Sequence, residues 1–154
     1  MIISINSDNN NSNNSTDKSY KEDYKNIEPA TVELVKHFIE VEKPWSGSGE
    51  EKMAKFVTLL NKLSQIYSVT VPVLEIGDPM HAHGSGCYLP LENKIILPKF
   101  SLVTLLHEFK HHLQHCKGKR NTEEAARGWS ISLFYQASQK AYERAVKKGI
   151  LLYK

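Results

Sequence analysis

Two histidines and a glutamate of this chain have a spacing that binds metal ions on helices. His107, Glu108 and His111 form the frame H-E-x-x-H. Histidines four positions apart project from one face of a helix, one turn apart, so both imidazoles can reach one tetrahedral zinc ion. Glu108 lies about 100° round the helix from His107, where a carboxylate can take the proton of a zinc-bound water. The frame therefore predicts a metal-dependent hydrolase.

A catalytic zinc ion needs a third protein ligand and keeps one position for water. His115 continues the same helical face, but three histidines along one straight helix span about 12 Å of axis, which is too far for one ion. Glu123 and Glu124 open the next helix, after a turn at Gly118 that lets that helix fold back. Spacing alone leaves both glutamates as candidates. We expect His112 and His115 to face solvent.

The order H-E-x-x-H, then E-x-x-A on the next helix, resembles the gluzincin metallopeptidases. The match is closest to the minigluzincins and the ImmA/IrrE-type peptidases, and it covers about residues 69–135. In these families the ligand glutamate tends to precede a small residue by three positions and an aromatic residue by six. Glu123 has Ala126 and Trp129 at those positions, and Glu124 fits worse.

This resemblance implies a zincin-like domain and one catalytic Zn²⁺ ion. The metal ligands would be His107, His111 and Glu123, and Glu108 would be the general base that activates a metal-bound water for peptide hydrolysis. The partner would be a peptide or protein substrate. It would pair with the edge strand near "GSGCYLPL", where Gly84 and Gly86 allow close backbone approach.

One position departs from the family pattern. The fourth residue after the ligand glutamate is often Asp or Asn, which supports a ligand histidine by a hydrogen bond, and here it is Arg127. Another group must fill that role. Arg127 is expected to face solvent, with binding of a substrate carboxylate as the alternative.

Further residues near the motif have open roles. Candidate donors to the oxyanion of the reaction are His81, His83 and Tyr135, and none is preferred. We expect Cys87 to be a small buried residue, with a thiol near the metal as the alternative.

The pattern of apolar residues predicts an α+β domain with the element order helix, helix, strand, hairpin, helix, helix. The predicted helices begin at Pro29, at Ser48 or Gly49, after a Ser101 cap, and after an Asn121 cap; the third runs to about Cys116 and the last to about Lys148. Residues 69–76 predict a strand, with Pro72 marking an interrupted or edge position. "CYLP" and "KIILP" flank the turn "LEN" as a hairpin, which gives a small mixed or antiparallel sheet.

The whole chain has the composition of one globular domain. It has 154 residues, 40% of them hydrophobic, and a net charge of +3. Residues 1–26 are rich in Asn and Ser and predict a disordered tail, which leaves 27–154 as the metallopeptidase domain. No apolar run approaches the roughly 18 residues of a membrane span, and no secretory signal is evident, so we expect a cytoplasmic protein. Cys87 and Cys116 are expected to be free thiols.

Two alternatives remain open. The chain could be a non-catalytic binding module, with nucleic acid as the partner and a structural or absent metal; "KGKR" at 117–120 supports this, but the charge pattern and the lack of a recognised motif argue against nucleic acid. Stoichiometric zinc would separate the two functions. The apolar segment 149–154 either caps the core or docks so that it restricts the cleft and keeps the peptidase latent.

Overall fold

The computed structural model describes residues 26–78 and 85–149. This part of the chain forms five α-helices and a three-stranded sheet: α1 (Pro29–His37, continued by a π-helical segment Phe38–Glu42), α2 (Gly49–Tyr67), β1 (Val73–Ile76), β2 (Cys87–Leu89), β3 (Lys94–Leu97), α3 (Leu102–Cys116), α4 (Glu123–Ala137) and α5 (Gln139–Lys147). The predicted α+β class is confirmed. The tail up to residue 25 and residues 150–154 of the proposed latency segment lie outside the described residues, so both of those interpretations stay predictions.

The sheet is mixed, with the order β1-β3-β2. β1 is parallel to β3, and β2 is antiparallel to β3, so Cys87 pairs with Ile96 and Leu89 with Lys94. The predicted hairpin is confirmed. Asn93 closes its turn with a φ of 51°, a left-handed conformation that asparagine tolerates better than most residues.

The first strand is shorter than predicted. Its pairing begins where the backbone N–H of Val73 donates to the carbonyl of Asn93 at 2.9 Å, and residues 69–72 run outside the sheet. Pro72 has no N–H to contribute to a ladder, so it marks the limit of the strand. As its proline suggested, β1 lies at an edge of the sheet.

Side chains cap the N-termini of the helices at the positions that the sequence predicted. Ser48 and Glu51 form a reciprocal capping box at the start of α2, and the Ser101 hydroxyl accepts from the N–H of Thr104 at the start of α3. Each bond satisfies a backbone donor that the helix itself leaves without a partner. The bounds of α3 are therefore those predicted from Ser101 and Cys116.

The prediction of one long last helix was wrong. The backbone of Ser138 is extended, with φ −158° and ψ 99°, and it separates α4 from α5. Its side chain accepts from the N–H of Ala141 and so caps α5, which compensates for the interrupted helix. The start is also one residue later than predicted, because Thr122 rather than Asn121 caps α4.

One hydrophobic core joins the helices to the sheet. Phe56 of α2 lies in it with its ring centroid 5.3 Å from that of Phe38 and 5.2 Å from that of Phe100. α3 packs on β2 and β3 with one side and on α4 with another, so it is held from both directions. Within the described ranges, no helix combines the length and the apolarity needed to cross a membrane.

Candidate metal centre

Helix α3 presents the H-E-x-x-H residues from a firmly packed position. Its apolar face is buried as predicted, at Leu102, Leu105, Leu106, Phe109 and Leu113. His107, Glu108 and His111 are themselves buried, each between 6% and 7% exposed. Burial of both faces leaves these side chains little freedom to reorient.

Helix α4 returns alongside α3 after a short turn. Gly118 adopts a φ of 66°, the left-handed conformation that ends many helices and costs glycine little. The Thr122 hydroxyl then accepts from the N–H of Ala125 and caps α4. Glu123 is the first residue of α4, so its carboxylate reaches back towards α3.

The two histidines of the frame and Glu123 form a compact group, called here the His–Glu cluster. Nε2 of His107 lies 2.9 Å from Oε1 of Glu123, and Nε2 of His111 lies 3.0 Å from Oε2 of the same carboxylate. One ligand atom from each residue falls within 4.8 Å of the others, close enough for all three to hold a metal ion. Glu124 is exposed and is not part of this cluster.

The spacing of the donor atoms is near that of a tetrahedral metal site. Ligand atoms 2.0–2.1 Å from a tetrahedral ion lie about 3.3 Å apart. The two histidine–carboxylate distances in the His–Glu cluster are a few tenths of an ångström shorter. The side chain of Glu123 is 68% exposed, so it has room for that adjustment.

A glutamine that sequence reasoning missed supports His111. Nδ1 of His111 lies 2.9 Å from Oε1 of Gln114, and Nε2 of Gln114 donates to the carbonyl of Thr122 at 3.3 Å. A hydrogen bond to the far nitrogen of a ligand histidine was expected from another part of the chain, because Arg127 cannot accept one. The available sequence signal was a polar residue three positions after His111, on the same side of the helix.

The ionisation of the His–Glu cluster favours metal binding. Burial lowers the pKa of His107, although Glu123 opposes that shift, so the imidazole favours its neutral, ligating form. Burial would raise the pKa of Glu123, but His111 and His107 outweigh it and hold that pKa below its usual value. The cluster thus combines a neutral imidazole with an ionised carboxylate.

Glu108 has a different environment from Glu123. Burial, and then the nearby charge of Glu123, raise the pKa of Glu108 to about 8. A carboxyl whose pKa is moved towards neutrality can both accept and release a proton near pH 7. Their environments therefore give the two carboxyls different roles: Glu123 is ionised, and Glu108 can exchange a proton.

These groups open into a cleft of about 440 Å³ between α3, α4 and β2. Cys87 and Tyr88 of the edge strand line one side, and Asn121 and Arg127 line the other. Arg127 is half-buried in this wall, so the expectation that it simply faces solvent was wrong. Cys87 is also half-buried, and burial raises the pKa of its thiol.

The expectation that His112 faces solvent was also wrong, because its side chain is 1% exposed. Its Nε2 donates to the carbonyl of Thr70 at 2.7 Å, which leaves Nδ1 to accept from the hydroxyl of Tyr88 at 2.8 Å. Both partners come from distant parts of the sequence. His115 is exposed, as predicted.

Among the described residues, no candidate oxyanion donor lines the cleft. Tyr135 is 44% exposed, and its ring packs edge-on against Tyr142 with centroids 5.1 Å apart, away from the cleft-lining residues. His81 and His83 lie outside the described residues, as does Gly84. The two cysteines are free thiols, as predicted.

The cleft thus contains a three-residue cluster with metal-binding spacing, a buried carboxyl beside it and one edge of a sheet. Comparison of the chain with protein-family models, with curated proteins and with solved structures gives no match.

Proposed function

We propose that this chain is a zinc-dependent peptidase with a zincin-like fold. His107, His111 and Glu123 bind the ion, and Glu108 is the general base. The observation that carries the proposal is the convergence of two buried imidazoles and one carboxylate at 2.9 Å and 3.0 Å beside a second carboxyl in an open cleft. The resemblance to the gluzincins supports the same assignment.

The donor set favours a catalytic rather than a structural ion. Structural zinc sites use four protein ligands, whereas catalytic sites use three and keep a position for water or substrate. The His–Glu cluster offers three, and they line the cleft. A set of two imidazole nitrogens and one carboxylate oxygen also suits zinc better than calcium or magnesium, because those two ions take oxygen ligands.

When bound, zinc would supply Lewis acidity, which lowers the pKa of coordinated water to about 7 and polarises a carbonyl oxygen. The remaining work falls to the protein. Glu108 accepts the proton of the attacking water and donates it to the leaving amine. A bound cation lowers the pKa of a nearby carboxyl, so it would bring Glu108 into the ionised form that a base requires.

The edge strand β2 supports an extended peptide as the substrate. In the part of the chain described, β2 pairs on one side only, with β3. Its other edge therefore offers N–H and C=O groups to a substrate strand, which gives affinity without sequence preference. Gly86, just before β2, lies against α3 and keeps this edge close to Glu108.

The decisive test compares purified wild-type protein with Glu108→Gln. Elemental analysis should show one zinc per chain in both proteins, because Glu108 is not a ligand. The substrate is a mixture of peptides prepared from denatured protein, and mass spectrometry measures its cleavage. The rate of hydrolysis should fall by about 10²- to 10⁴-fold in the variant. Glu124→Gln is the matched control, since this exposed glutamate lies outside the cleft-lining residues.

Two results would contradict the proposal. If wild-type protein expressed with ample zinc carries none, the metal assignment fails. If zinc is present and Glu108→Gln retains wild-type hydrolysis, the assignment of the base fails. Zinc without hydrolysis by any of these proteins would instead support the binding-module alternative.

A further inference from the structure

Gln114 is a buried amide whose two ends bind two different parts of the metal centre. The side chain is on α3, three residues after His111, and the residue is 4% exposed. One end contacts the His111 ring at 2.9 Å, and the other contacts the backbone carbonyl of Thr122 at 3.3 Å. A buried amide with both ends bonded cannot rotate freely.

The contact with Thr122 determines which way the amide points. A backbone carbonyl only accepts hydrogen bonds, so the NH₂ end of Gln114 must face Thr122. The oxygen of the amide then faces His111. Because this oxygen also only accepts, Nδ1 of His111 must carry a proton, and in the neutral ring Nε2 then carries the lone pair.

That lone pair lies beside a carboxylate but is not directed at its near oxygen. Nε2 of His111 lies 3.0 Å from Oε2 of Glu123, yet it has no hydrogen-bond partner there. Two groups that only accept repel each other at this distance unless a positive charge lies between them. A metal ion is a positive charge that both atoms can bind at once.

The bond to Thr122 also links the two ligand-bearing helices. Thr122 caps α4, and Glu123 follows it as the first residue of that helix. The amide of Gln114 therefore connects a ligand of α3 to the residue that precedes the ligand of α4.

We propose that Gln114 is a positioning residue for the metal: it holds His111 in the Nδ1–H tautomer and so aims Nε2 at the ion. The proposal rests on the proposed metal site. It also assigns the role for which Arg127 is unsuited, the hydrogen bond to the far nitrogen of a ligand histidine. A neutral amide fills that role without adding a charge to a buried place.

The first experiment reads the tautomer directly and needs no variant to fold. Two-bond ¹H–¹⁵N correlation spectra of the metal-free protein at about pH 9, where imidazoles are neutral, distinguish Nδ1–H from Nε2–H rings. The His111 signal is identified by its loss in His111→Ala. The Nδ1–H form supports the proposal, and the Nε2–H form overturns it.

The second experiment measures zinc affinity by competition with a chromophoric chelator. Gln114→Met keeps the volume but removes both hydrogen bonds, and we expect an affinity loss of about 10- to 100-fold. Gln114→Glu keeps an acceptor for His111 but loses the donor to the Thr122 carbonyl, so it should recover only part of the affinity lost in Gln114→Met. Gln136→Met is the matched control, because Gln136 is an exposed glutamine on α4 whose side chain bonds Ser132.

The outcomes separate this proposal from the proposed function. Unchanged affinity in Gln114→Met, or equal losses in the Met and Glu variants, means that the acceptor for His111 does not affect metal binding, which overturns the proposal. If the wild-type protein binds no zinc, the peptidase assignment fails, and the tautomer spectrum still decides the role of Gln114. If zinc binds but no substrate is hydrolysed, the zinc affinities of the Gln114 variants still decide the role of Gln114.

Discussion

The hydroxyl of Tyr88 donates a hydrogen bond to Nδ1 of His112 across 2.8 Å, and so joins the edge strand of the sheet to the helix that carries His107 and His111. The opposite nitrogen of His112 is bonded to the carbonyl of Thr70. A single buried imidazole therefore connects α3, β2 and the segment that leads into β1. This bridge holds α3 and β2, which line the cleft, to each other.

Tyr88→Phe should lower the free energy of unfolding by about 1–3 kcal/mol, because it leaves a buried acceptor on His112 without its hydroxyl partner. Chemical denaturation of both proteins measures the difference. Tyr135→Phe is the control, since Tyr135 is exposed and its ring contact is kept in phenylalanine. Equal stability of wild type and Tyr88→Phe would contradict a stabilising role for the bridge.

The same tyrosine predicts a loss of stability at alkaline pH. Burial raises the pKa of Tyr88 from 10.0 to about 12, so the unfolded chain releases this proton at lower pH than the folded chain does. Its contribution is complete below pH 10 and is lost as the pH rises towards 12. The melting temperature of wild type should therefore fall more steeply over this range than that of Tyr88→Phe. Tyr67, whose pKa burial also raises, is present in both proteins and cancels in the comparison. Parallel curves would refute the prediction.

Gly86→Ala should disturb the contact between the edge strand and α3. A β-carbon at this position would lie 2.6 Å from Cγ2 of Thr104 and 3.1 Å from Cγ of Glu108. Such overpacking costs about 1–3 kcal/mol and would displace the carboxyl of Glu108. We expect reduced stability in denaturation and reduced hydrolysis.

Two further variants test the cause of that effect. Gly49→Ala is the control, because a β-carbon there meets nothing within 4 Å. Thr104→Ser removes the methyl group of the closest contact and keeps the hydroxyl that bonds Ser101. The double variant Gly86→Ala/Thr104→Ser should recover part of the lost stability. A double variant no better than Gly86→Ala would place the cause elsewhere.

Glu123→Ala should weaken zinc binding by more than the roughly 100-fold that loss of a supporting hydrogen bond can cost, because it removes a ligand. Glu124→Ala should bind zinc as wild type does, since that neighbour is exposed and lies outside the His–Glu cluster. Chelator competition measures both. Equal affinities in the two variants would remove Glu123 from the ligand set.

Local patterns predicted the helices that carry the cluster. The Ser101 cap, the apolar face of α3 and Gly118 depend on residues within a few positions of one another, and all three were predicted correctly. The break at Ser138 was missed because helical residues continue on both sides of it. Serine favours caps, but it also occurs within helices, so its type alone did not reveal the break.

The contacts that the sequence did not reveal are those between distant residues. His112 was placed in solvent because its partners, Thr70 and Tyr88, precede it by 42 and 24 positions. Gln114 was missed for a related reason: its acceptor at Thr122 exists only once α4 has folded back. Periodicity reports which face of a helix is apolar, and it carries no information about which polar groups meet across the fold.

The short turn between α3 and α4 has a consequence for how the cluster forms. His107 and Glu123 are sixteen positions apart, so bringing them together closes only a small loop. The entropy cost of loop closure rises with loop length, and contacts of short sequence separation form early in folding. The helix pair can therefore bring the three donor residues together without help from the sheet, although on the ribosome it emerges after the three strands. The His–Glu cluster is therefore completed late in synthesis, through a contact of short sequence separation.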